Sequence, residues 1–386
     1  MAKIRHMYPG GNTCYGFYSF YDHIVPPDAP QKIILKGGPG SGKSTFMKAI
    51  ASELSQNGID IEYHWCSSDN NSLDGIVAGD RHLCILDGTA PHSVDPRYPG
   101  AVDWIINMGD FWDAGQIVKH QKIIIELSQQ ISMYFNRAYN RLKETQSAWW
   151  EWSSFHMSAI NTAAVNRNIL ALTDDFIQAA PPSDLPSRHL FAAALTPEGI
   201  VSKVDTLLDT NWAIFAVKGS PATGVKDLFK HIEKMLQLKN IYGEIYHCPF
   251  DPANLDLIVL PDHKTAILDI SGHIVDYEKY LTVRQYKRLL DLNQFLDTAA
   301  ISPYAAQVAA SVERFQNGLQ QALTFIQTAK TLHDELETYY VSAMDFTKLE
   351  DFRLELTGKL LGVKGTGLLT TSNGVLDWKL PRTPPP

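Results

Sequence analysis

Residues Lys36 to Asp87 and Lys218 to Asp269 align without a gap, and 19 of the 52 pairs are identical. Identities that dense and that well in register mark a duplication. The similarity spreads outward with small shifts, pairing Arg5-His6 with Arg188-His189, Thr13 with Thr196, Gly16 with Gly199, His92 with His273, Asp95 with Asp276, Phe111 with Phe295 and Asp113 with Asp297. A repeat this long is a pair of whole domains and not a solenoid of short units. Whatever one half folds into, the other must also fold into.

The first copy carries a complete G-x-x-x-x-G-K-[ST] loop, GGPGSGKS, between an apolar run at Ile33, Ile34 and Leu35 and a segment with Phe46, Ile50 and Leu54 at helical spacing. Gly37, Gly38, Pro39, Gly40, Ser41 and Gly42 allow a tight loop whose N–H groups converge on a phosphate chain. The start of the next helix, through Thr45, adds partial positive charge. Lys43 is then the residue that reaches the β and γ phosphates, and Ser44 the hydroxyl that ligates Mg²⁺. A second acid is needed for the metal. Asp87 ends the apolar run Leu83-Cys84-Ile85-Leu86, where ligands sit at the carboxyl end of a strand in open α/β sheets. Gly88 and Thr89 follow it, without the water-activating glutamate of motor-type ATPases.

The second copy is damaged. Its loop reads GSPATGVK, with Val225 at the position of Lys43 and Lys226 at that of Ser44, so tight MgATP binding is not expected there. Three prolines in AAPPSDLPS, from Ala179 to Ser187, separate the halves, which gives domains at 1–182 and 183–386. Each half ends in a long helical region. The first starts near Ala114 and is expected to turn back through Trp149 to Phe155 and return to about Gln178; the second runs from Ala305 to Met344 with a shorter return to Leu361. Such pairs suit lids, dimer surfaces or packing on the other half.

A net charge of −8 gives no broad basic surface for nucleic acid, and no apolar run of about 18 residues or leader-like start suggests a membrane span or secretion. The four cysteines form no C-x-x-C pair, which fits a reducing, cytoplasmic setting. Other groups have competing readings. His64, Cys66, Asp69 and Asp74 flank the end of the next strand: Asp69 or Asp74 reads as a base or anchor for a substrate hydroxyl, Cys66 with His64 and Asp69 as a metal site short of ligands, and the group equally as Asp loop caps around a small buried thiol. His92 and Asp95 read as loop-ordering residues or γ-phosphate sensors. Arg137 and Arg141 have the spacing of lid arginines and of a solvated face alike. Trp149, Trp150 and Trp152 read as core or interface.

Together the loop GGPGSGKST with Asp87 resembles the P-loop NTPase superfamily. The pattern GGNT, CSSDNNSLDG, ILDGTAPHSVDP and a degenerate second half is similar to a family of uncharacterised bacterial tandem P-loop ATPases. That resemblance implies two α/β, three-layer domains with ATP and Mg²⁺ bound by Gly37 to Thr45 and Asp87. ATP is preferred to GTP because no N-K-x-D sequence is present. Hydrolysis, γ-phosphate transfer to a small-molecule acceptor near Asp69, and a nucleotide-gated interaction with a protein partner all remain open. The second half is a candidate source of a catalytic cation, from Lys226, Arg284 or Arg288.

Overall fold

The computed structural model describes residues 2–25, 29–79, 83–89, 94–178, 180–281 and 285–362. The first half contains β1 (Ile4–Met7), β2 (Gly10–Thr13), β3 (Gly16–Ser19), β4 (Gln31–Lys36), α1 (Lys43–Gln56), β5 (Ile61–Trp65), β6 (Leu73–Ala78), β7 (Leu83–Asp87), β8 (Asp103–Asn107), α2 (Ala114–Val118), α3 (Gln121–Met157) and α4 (Thr162–Ile177). The second contains β9 (Arg188–Leu190), β10 (Ala193–Thr196), β11 (Gly199–Ser202), β12 (Ala213–Lys218), α5 (Val225–Lys239), β13 (Glu244–His247), β14 (Leu255–Leu260), β15 (Thr265–Asp269), β16 (Arg288–Asp291), α6 (Thr298–Ile301), α7 (Ala305–Val341) and α8 (Phe346–Leu360). The element order is the same in both.

So is the topology. One six-stranded sheet runs β1-β5-β6-β7-β4-β8 and the other β9-β13-β14-β15-β12-β16. All pairings are parallel except those of β6 and β14, each antiparallel to both its neighbours. The alternation of a strand divides the side chains between two cores. In the first half Ile76 and Ile85 face α1, whereas Val77, Cys84 and Leu86 pack with Tyr21, Ile24 and Val25 on the opposite face. That opposite layer is built from the segment around the β2–β3 hairpin and a 3₁₀ turn, so the outer layers are not both helical, as three layers of the P-loop type would have them.

The helical arms are exchanged between halves. α3 and α7, each 37 residues and about 55 Å long, lie antiparallel along each other. They deliver the short return helices to the far sheet: α4 packs Val165, Ile169, Leu172 and Phe176 against Phe229 of α5 and Phe215 of β12. Reciprocally, α8 packs Leu349, Phe352 and Leu356 against Phe46 and Met47 of α1. Matching backbone bonds fix both crossings. Asp113 N donates to Ala343 O (2.8 Å) and Asp345 N to Phe111 O (2.7 Å); Asp297 N donates to Ala159 O (2.8 Å) and Asn161 N to Phe295 O (2.9 Å). The turn expected across Trp149 to Phe155 is absent. That stretch has neither Gly nor Pro, and Trp149 and Trp152 continue the helix by packing on Phe315 of α7. The chain reverses instead at Ser158 to Asn161, where Asn161 caps α4 by accepting from Ala164 N (3.1 Å).

A buried charge network lies where the two sheets meet. Arg5 of β1 bonds Glu62 (3.1 Å) and Glu244 (2.9 Å), and its counterpart Arg188 of β9 bonds Glu62 (2.9 and 2.7 Å). Despite their desolvation, both carboxyls are held below the usual range by the two guanidiniums. Removing any one member would strand a buried charge, which typically costs about 3–5 kcal/mol.

Candidate functional site

β4 ends at Lys36 and α1 begins at Lys43, and the six residues between form a loop with positive φ at Gly40 (68°) and Gly42 (82°). Left-handed backbone at two positions favours glycine. Gly40 has a second reason: a Cβ there would lie 2.7 Å from the Glu337 carbonyl oxygen of α7. No side chain caps the start of α1, and no acid occupies its first turn. The leading N–H groups and the positive end of the dipole are therefore uncompensated by side-chain anions from α1 itself.

Lys43 folds back into the loop. Its Nζ donates to Gly37 O (2.9 Å) and Gly38 O (2.8 Å) and lies 3.6 Å from Asp87 Oδ2. Asp87 Oδ1 accepts from Thr89 N (2.8 Å), and Thr89 Oγ donates to Gly37 O (2.9 Å), tying the end of β7 to the start of the loop. Ser41 is buried and its Oγ donates to Gly38 O (2.7 Å). Ser44 Oγ accepts from Leu73 N (3.0 Å), which leaves a lone pair for another partner. A hydroxyl and a carboxylate are the hard oxygen donors that suit Mg²⁺.

The second copy shows what the lost lysine changes. Val225 opens α5, and Asp227 in its first turn puts a carboxylate at the position of Thr45. Asp269, the counterpart of Asp87, keeps the matching bond from Ser271 N (2.8 Å) and accepts in addition from Ser271 Oγ (2.5 Å), and burial pushes its carboxyl above the usual range. Asp256 beside it is pushed up to about 8, by burial first and then by the charge of Asp269. His273 closes the loop by bonding Gly219 O (2.9 Å). An anion would find acids here and no loop lysine.

Several sequence candidates are occupied elsewhere. Asp69 caps its own turn, accepting from Asn71 N (2.9 Å) and Ser72 Oγ (3.0 Å), and also pairs with Lys330 of α7 (3.3 Å). His64 is buried beside Glu62 (3.5 Å) in the central charge network. Burial raises the Cys66 thiol, and nearby Asp74 adds to the shift. No metal-binding cluster of His64, Cys66 and Asp69 is found among the described residues. Asp95 pairs with Lys36 (3.3 Å), while His92 and Arg284 lie outside the described residues. Arg137 lies over the Tyr134 ring, Arg141 pairs with Glu144 (2.6 Å), and Trp150 is exposed. Arg288 pairs with Asp175 of α4 (3.5 Å) and Lys226 is exposed, so neither is seen at the first loop.

Two elements of the second half reach that loop: α8, whose Leu349 and Phe346 side chains lie against Gly42, and α7. Lys330, His333, Glu337, Tyr340 and Val341 follow the i, i+3, i+7, i+10, i+11 spacing of one helix face. Lys330 meets Asp69, Glu337 Oε1 accepts from Gly40 N (3.2 Å), and a Cβ at Gly38 would lie 2.7 Å from the Tyr340 ring. Sequence reasoning missed these residues. Aligning the two 37-residue helices end to end puts Gln146, Trp149 and Ser153 of α3 opposite Lys330, His333 and Glu337, so these three positions carry ionisable groups on α7 and none on α3. That contrast was the available signal. Searches among protein-family models, curated proteins and solved structures found no match to this chain.

Proposed function

We propose that the first half binds the triphosphate of MgATP at Gly37 to Thr45 and hydrolyses it, with the second half as a structural and regulatory partner. The observation that carries this reading is the Lys43 ammonium, held in a glycine loop at an uncapped helix start and 3.6 Å from the Asp87 carboxylate. On phosphate arrival Lys43 would exchange the Gly37 and Gly38 carbonyls for phosphate oxygens, a charge-assisted contact. Ser44 and Asp87 would hold Mg²⁺. The ion, when bound, neutralises charge on the transferring phosphoryl group. Hydrolysis is favoured over transfer because Asp69, the acceptor-side base a kinase would use, is already engaged by its own turn and by Lys330. ATP is preferred to GTP because the chain has no N-K-x-D sequence to read guanine.

Isothermal calorimetry tests this. Lys43→Ala should weaken MgATP binding roughly ten- to a hundredfold, the worth of one charge-assisted contact, while melting stays near wild type, since valine occupies that position in the other half. Asp87→Asn should keep much of the binding and lose most Mg²⁺-dependent turnover. Unchanged affinity in the lysine variant would rule out the loop as the nucleotide site.

A further inference from the structure

The amide of Gly40 belongs to the set of loop N–H groups that would face an anion, and it already has one. Glu337 of α7 places a carboxylate oxygen 3.2 Å from it. The Glu337 side chain is about one-third exposed, and among the described residues the ion-pairing group within 4 Å of it is His333, with Nδ1 3.8 Å away. Its backbone is equally close, with the Gly40 Cβ position 2.7 Å from Glu337 O. The carboxylate and the helix that carries it therefore approach the loop together.

The damaged copy supplies the control. Ser153 of α3 occupies the matching position on the other arm, and its Oγ bonds Trp149 O (2.8 Å) within its own helix. In the second loop the amide of Ser220, the counterpart of Gly38, is taken by the neutral side chain of Asn293 (2.8 Å). Among the described residues, a carboxylate from the opposite half sits on a loop amide only where the loop also keeps its lysine and its hydroxyl.

We infer that Glu337 is an autoinhibitory group: a carboxylate delivered by the second half that occupies a phosphate-facing amide of the first, so that a triphosphate must displace it and the adjoining end of α7 to bind. The idea rests on the nucleotide-site reading above. Displacement would shift the Lys330–Asp69 pair and Tyr340 on the same helix face, which makes the α3–α7 pair the element that registers occupancy.

Only the fraction of molecules with the carboxylate withdrawn is competent to bind, so apparent affinity is reduced by that fraction. Glu337→Gln keeps the size and an acceptor oxygen but removes the charge. In calorimetry on the full chain it should bind MgATP roughly three- to thirtyfold more tightly than wild type, the range expected for a partly exposed charge-assisted contact. Pyrophosphate should gain by a similar factor, because the contact is at the phosphate end. Glu337→Ala serves as the second variant should glutamine retain the contact. Wild-type affinity in both variants would overturn the autoinhibitory role and leave the nucleotide site standing. No binding of MgATP by wild type or by either variant would overturn both.

Discussion

At the scale of single residues, the clearest acid-sensitive element is a pair of imidazoles in the second half, His189 and His247. His247 Nδ1 donates to Pro252 O (2.6 Å), which leaves its Nε2 to accept from His189 Nδ1 (2.8 Å). That chain fixes one tautomer for each ring and leaves no room for an added proton between them. Burial, reinforced by the neighbouring imidazoles, pushes His189 down to about 4 and His247 down to about 3. Unfolded histidine titrates near ~6.5. Both folded values lie below that, so the pair's contribution to stability is full above about pH 6.5 and is lost as pH falls, His189's share by about pH 4 and His247's by about pH 3. Ring-proton NMR of His189 and His247 should be flat from pH 8 to 5; a ring that titrates near pH 6.5 would contradict this. None of it was legible in the sequence, where His247 aligns with Trp65 and only the structure shows the rings meeting. The loop's place was legible because it is dictated locally: an apolar run that forms β4, glycines where φ is positive, helical spacing that forms α1, and four apolar residues ahead of Asp87 that form β7.

Among the elements, the α3–α7 pair carries both crossings, and at Gly318 α7 leaves no space for a side chain against α3. A Cβ on Gly318 would lie 2.2 Å from Thr145 Oγ1 and 3.2 Å from Thr145 Cβ. Alanine is intrinsically better than glycine in a helix by about 1 kcal/mol. Overpacking should nevertheless win, so Gly318→Ala is expected to destabilise by roughly 1–3 kcal/mol in urea unfolding. Adding Thr145→Ala should recover part of the loss by removing the clashing hydroxyl, a positive coupling that a double-mutant cycle measures. If Gly318→Ala alone is stabilising, the helices do not approach this closely. The existence of both long helices was readable from their periodicity, but their partners were not. An apolar stripe states that something covers it, and packing on either sheet buries the same side chains. β6 was missed for a related reason. Its six residues are all buried, so LDGIVA shows no alternation, and its Asp-Gly reads as a turn.

For the whole molecule, the exchange of arms decides what a half can do alone. Residues 1–182 hold the first sheet and α1 but not α8, whose Leu349, Phe352 and Leu356 cover Phe46 and Met47. The same fragment carries α4 with Val165, Ile169, Leu172 and Phe176, which in the full chain are buried against the second sheet. An isolated first half would thus expose two apolar faces at once, and Glu62 would lose Arg188 from the buried network. Two outcomes relieve this: the fragment stays unfolded, or two copies trade arms and rebuild the missing cover for each other, as domain swapping allows. A compact monomer satisfies neither face. The expectation for 1–182 expressed alone is therefore a dimer or an unfolded chain by sedimentation and circular dichroism, whereas co-expression with 183–386 should give a folded one-to-one complex. A folded monomer of 1–182 would mean that α4 can turn back onto its own sheet, and the reciprocal cover would then be no requirement of the fold. The outcome also bears on why the damaged half persists. If 1–182 needs 183–386 to fold, the second half is retained for α7 and α8, whatever its own loop can no longer bind.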